Sequence, residues 1–149
     1  MKRSFLLFSF AFSWLFSQSQ MEVVKENSWT IKWNKKVLLQ TSEENETANT
    51  RKIKKADLSK KYCLEIIYKE SDPAKEKEWK RSFLFFGNTD NQVLRKDSTL
   101  NIKISAAELK KLFSNQKKIR IYTMAIPTDP DLAARVRVRR VHLCTLELQ

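Results

Sequence analysis

Hydrophobic and polar residues alternate along most of this chain, and the alternation gives way once to a helical period. In "WTIKW", Trp29, Ile31 and Trp33 share one side while Thr30 and Lys32 take the other, the pattern of a half-buried strand. "NKK" then reads as a tight turn into "VLLQ". The polar stretch Thr41–Lys61 separates this pair from the rest and holds one short edge strand near Lys52–Lys54. "YCLEIIYKE" places Tyr62, Leu64, Ile66 and Tyr68 on one face. "WKRSFLFF" places Trp79, Arg81, Phe83 and Phe85 opposite Lys80, Ser82, Leu84 and Phe86, and "TLNIKIS" alternates Leu100, Ile102 and Ile104 with polar residues. Between these lie a charged loop, "SDPAKEKE", and a loop of turn-formers, "GNTDN".

The period changes after Ser105. Ser105 and Glu108 have the spacing of a capping box, and Leu109, Leu112 and Phe113 follow at helical intervals, which predicts a helix over 106–115. "KKIRIYTMAI" returns to alternation. "PTDPDLAA" reads as a loop with two prolines, and "RVRVRRVHLCTLEL" as a long closing strand. In that strand Val136 and Val138 are expected inward and Arg135, Arg137 and Arg139 outward, with a β-bulge at Arg139–Arg140 returning Val141 and Leu143 to the core. About seven or eight short strands with one short helix predict an all-β fold, mainly an antiparallel β-sandwich, with a small β-barrel as the alternative.

The N-terminal segment changes the domain picture. Lys2 and Arg3 precede a run from Phe5 to Phe16 of apolar residues and serines, and small or polar residues follow. This is the layout of a cleaved secretory signal peptide, expected over 1–19. The run is too short to span a bilayer permanently. Residues 20–149 then form one domain, expected to be secreted or periplasmic with no membrane span.

The formal charge is +12, and the leader accounts for two of those cations. A strong positive balance favours acidic partners. An anionic envelope glycan or an acidic protein is the expected partner; export argues against nucleic acid. Five cations recur in "ARVRVRRVHL" if His142 is counted. Alternate residues on a strand lie roughly 6.6–7 Å apart, and arginine forks fit carboxylate, sulfate or phosphate. Arg135, Arg137, Arg139 and Arg140 are therefore the candidate ligand-binding set, extended by Lys118 and Arg120 if the two last strands pair as a hairpin. A solvated, aggregation-blocking face is the competing reading.

Other chemistry is thinly represented. The one His, His142, lies in a strand, and the one Gly, Gly87, rules out a Gly-x-Ser-x-Gly elbow. Cys63 and Cys144 lack zinc spacing but would suit a long-range disulfide worth about 4 kcal/mol. Asp129 and Asp131 read as an Asp-Pro turn before they read as calcium ligands. Glu65 and Glu147 are acids in apolar settings, but a small sandwich with one Gly offers little of the cleft that a glycosidase pair needs, and Glu65 reads more simply as facing solvent or a cross-strand arginine. No catalytic residue, metal or cofactor is expected. The sequence predicts an exported, non-catalytic binding module. A structural subunit pairing through an edge strand, and a small hydrolase using His142 or a Glu pair, are the alternatives.

Overall fold

The computed structural model describes residues 26–98 and 100–149; the expected leader lies outside them. Among the described residues, nine strands form two sheets. The first sheet contains β1 (Ser28–Trp33), β2 (Lys36–Thr41), β4 (Leu64–Lys69) and β7 (Asn101–Ile104), in the order β2-β1-β4-β7. The second contains β3 (Thr50–Ile53), β5 (Trp79–Phe86), β6 (Gln92–Ser98), β8 (Lys118–Pro127) and β9 (Val141–Leu148), in the order β3-β9-β8-β5-β6. Every pairing is antiparallel except β3 with β9. The sheets remain separate and face each other across one core, so the fold is a β-sandwich and not a barrel.

Alternation accounts for the core. Trp29, Ile31, Leu64, Ile66 and Tyr68 point inward from the first sheet, and Phe83, Phe85, Ile119, Ile121 and Leu146 meet them from the second. The turn predicted at "NKK" is present, with φ of 48° at Asn34 and 69° at Lys35. Two successive left-handed residues are what a two-residue hairpin of matching twist requires. On the outer side of the first sheet, Glu65 lies between Lys32 at 3.8 Å and Lys103 at 3.5 Å.

Among the described residues, a short 3-10 helix (Lys55–Ser59) and three α-helices join the strands: α1 (Pro73–Glu78), α2 (Ala106–Leu112) and α3 (Pro130–Arg135). Only α2 was expected, and it ends three residues earlier than its spacing predicts. Its capping box is complete, and Leu109, Leu112 and the following Phe113 are buried in the core. The other two replace predicted loops. Asp72 and Asp129 accept hydrogen bonds from the first-turn amides of α1 and α3, and each is followed by a proline at the first helical position. An Asp N-cap with Pro after it starts a helix as readily as it makes a turn.

The end of the chain differs most from expectation. The arginine segment is not a strand: α3 closes at Arg135, residues 136–140 run without strand pairing, and β9 begins only at Val141. The predicted bulge at Arg139–Arg140 is displaced to Leu143. Ile121 pairs with Cys144 and Tyr122 with His142, so Leu143 is the extra residue. It places both Leu143 and Cys144 in the core, and the Leu143 carbonyl accepts from Trp29 Nε1 at 2.8 Å.

The disulfide that the sequence allowed is not formed: both thiols are free. Cys63 precedes β4 on the parity opposite the inward Leu64, whereas Cys144 is fully enclosed from the facing sheet. Enclosure pushes the Cys144 thiol up to about 12.

Candidate ligand-binding cleft

Six cations were singled out from the sequence, and the fold separates them. Lys118 and Arg120 do lie on a strand paired with β9, but opposite Glu147 and Thr145, at the end of the pairing remote from Val141. Each is already engaged: Lys118 with Glu147 at 3.4 Å, and Arg120 with Asp90 and the Gly87 carbonyl. Arg135 is exposed at the end of α3. The Arg140 guanidinium lies 5.2 Å from the Phe86 ring on the outer side of the second sheet. Only Arg137 and Arg139 converge on one cleft.

That cleft opens at the end of the sandwich where β1 and β5 begin and β4 and β8 end. It is a cavity of about 350 Å3 whose lining includes Tyr68, Glu70, Lys75, Trp79, Arg81 and Arg137. An adjoining cavity of about 410 Å3 shares Glu70, Lys75, Trp79 and Arg81 with it. Both volumes fall in the range of about 300–1,000 Å3 typical of small-ligand sites.

The floor is a buried ion pair. Arg81 comes from the core-facing row of β5, and Glu70 follows the last residue of β4 in the other sheet. Arg81 is 8% exposed and Glu70 is 8% exposed. Arg81 Nη2 donates to Glu70 Oε2 at 2.7 Å, and Nη1 donates to Thr123 Oγ1 at 3.3 Å. The guanidinium lies 3.8 Å from the centre of the Tyr68 ring, and Tyr68 stacks in parallel on Trp29. Burial raises the Tyr68 hydroxyl above its ordinary pKa. The arginine is thus clamped from three directions.

The walls come from the two unexpected helices and the irregular segment. Trp79, half-buried, caps α1, and Lys75 sits within that helix. Thr128 donates through both N and Oγ1 to the Glu78 carbonyl, at 2.8 and 2.7 Å, which fixes α1 to the end of β8. Residues 137–139 follow α3, and Arg139 is tied to Glu44 at 2.5 Å. Lys75 and Arg137 have no acidic partner among the described residues.

Sequence reasoning singled out neither Glu70, Tyr68 nor Lys75 for the site. The signal that was available was Arg81: strict alternation places it on the core side of β5, where an arginine requires a partner. Trp79, which the alternation places on the same face as Arg81, Phe83 and Phe85, lies at the cleft wall.

The other candidates for chemistry are structural. His142 is 5% exposed. Its Nε2 lies 2.9 Å from Thr145 Oγ1, its Nδ1 has no partner, and desolvation holds its pKa below the ordinary value. Glu65 and Glu147 lie in different sheets, each engaged by lysine. Among the described residues no three His, Cys, Asp or Glu side chains gather as metal ligands. Asp129 serves as the cap of α3. No described helix is long and apolar enough to cross a membrane.

The chain matches no family model and none of the curated proteins, so the reading of the cleft rests on its own geometry.

Proposed function

We propose that this protein is an exported, non-catalytic binding module of the cell envelope or the extracellular space, and that it holds an anionic polymer at the cleft between its two sheets. The observation that carries this reading is the gathering of Arg137, Arg139 and Lys75 around a cleft whose floor is a pre-clamped arginine. Lys75 and Arg137, which carry no acidic partner among the described residues, are the rim groups open to a carboxylate or sulfate. The positive balance of the whole chain supports the same reading, because it draws anions toward the surface.

The test is binding of the purified protein to a panel of polyanions at two salt concentrations. An Arg137→Ser/Arg139→Ser variant is expected to lose the salt-sensitive binding, while Arg135→Ser/Arg140→Ser keeps most of it. Equal losses in the two variants, or no binding by any of the proteins, would overturn the assignment to the cleft.

A further inference from the structure

We infer that the polymer is an acidic glycan, with one sugar ring seated on the Arg81–Glu70 pair against Trp79 and its anionic substituent placed outward at Lys75 and Arg137. This rests on the anionic-polymer reading above and names its ligand class.

The argument begins with the charge of the floor. Glu70 neutralises Arg81 at 2.7 Å. A carboxylate or sulfate pushed down to Arg81 would also meet the Glu70 carboxylate, and like charges at such range repel strongly in a desolvated site. The floor is therefore a poor anion hole. It is instead a fixed donor beside a fixed acceptor. Arg81 carries five N–H groups, and Glu70 and Thr123 accept from two of them. A hydroxyl both donates and accepts, so one hydroxyl can bond to Arg81 and Glu70 together. Adjacent hydroxyls on a sugar ring repeat that match.

Next to this pair stand flat aromatic surfaces. Trp79 is half-buried at the wall of both cavities, whereas Trp29 and Trp33 are enclosed in the core. A half-buried indole beside hydrogen-bonding groups suits a ligand with one apolar face and a polar edge. A pyranose ring has that form, with its C–H face toward the indole and its hydroxyls toward Arg81 and Glu70. A run of aspartates or glutamates offers carboxylates without the flat face.

The rim gives the charge spacing. Lys75 and Arg137 stand unpaired, but Glu76 lines the adjoining cavity and Glu44 already holds Arg139. A lining that mixes cations with carboxylates favours a ligand with sparse negative charge, such as one acid group per sugar. A densely charged polypeptide gains less from it.

The experiment screens the purified protein on an array of acidic and neutral oligosaccharides. The best acidic oligosaccharide, its uncharged counterpart, poly-L-glutamate and sodium sulfate are then titrated by calorimetry. The acidic oligosaccharide is expected to bind at least about tenfold more tightly than either its uncharged counterpart or poly-L-glutamate. Trp79→Ala is expected to weaken it by about tenfold or more and Trp79→Phe by much less, since phenylalanine keeps a flat face. Thermal midpoints of both variants separate lost contact from lost folding. Glu70→Gln leaves Arg81 uncompensated and is expected to gain sulfate binding while losing the sugar. Poly-L-glutamate binding as tightly as the best glycan, or glycan binding indifferent to both Trp79 variants, would overturn the inference and leave the anionic-polymer reading intact. An absence of binding to every glycan and to poly-L-glutamate would overturn both.

Discussion

The two ends of the sandwich are closed by different physics. At one end α2 lays Leu109, Leu112 and Phe113 into the gap between the sheets, with its first turn fixed by the Ser105–Glu108 box and Lys96 bonded to Glu108. At the other end α1 and α3 bury no side chain at all. The gap between the sheets there is occupied by Arg81, Glu70 and Tyr68, with cavities on either side. Apolar closure is the default because burying a leucine stabilises by about 1.5–3 kcal/mol, whereas a buried ion pair roughly cancels its own desolvation. An end closed by a salt bridge and left partly empty is the end where selection for something other than stability is to be sought.

The comparison breaks first at the ion pair. Glu70→Leu strands the Arg81 charge in a buried site, and the expected loss is about 3–5 kcal/mol, measured by urea unfolding. The closed end responds next. Leu109→Ala removes a side chain that is 2% exposed, with an expected loss of about 3 kcal/mol and no change in ligand binding. Ser105→Ala removes the cap of the same helix at a cost of about 1 kcal/mol.

Acid sharpens the contrast. Bonds from Lys96 and Ser105 lower the Glu108 carboxyl from 4.5 to about 2 in the folded protein. Its contribution is thus complete above pH 4.5 and is lost as the pH falls toward 2, because the unfolded chain takes up the proton first. Glu108→Gln is expected to flatten the stability profile across that window. The smallest effect belongs to the rim: the Arg139 side chain is 74% exposed, so Arg139→Ala is expected to cost less than about 1 kcal/mol while still weakening polyanion binding.

Much of the closed end was legible in the sequence, and little of the open one. Capping boxes, alternating strands and the "NKK" turn are local signals, each complete within a few residues. The cleft is assembled from long-range contacts. Glu70 and Arg81 lie eleven residues apart in different sheets, and nothing in either segment announces the pairing. The arginine segment misled for a related reason. "RVRVR" has a strand's period, yet period describes only the alternation of side chains, and a strand also needs a partner. The preceding Asp129-Pro130 starts α3, which consumes Arg135, and strand pairing to β8 resumes only at Val141. Of the two valines expected inward, Val138 instead lines the cleft and remains 37% exposed.

The central claim is that the Arg81–Glu70 pair is kept for a ligand and not for stability. The most direct test replaces both partners at once, with Arg81→Met and Glu70→Leu, and follows unfolding and glycan binding on the same samples. The claim predicts a protein as stable as the parent to within about 1 kcal/mol, or more stable, that no longer binds. A double variant that loses several kcal/mol and still binds would show the pair to be a structural element of the fold, and would contradict the account.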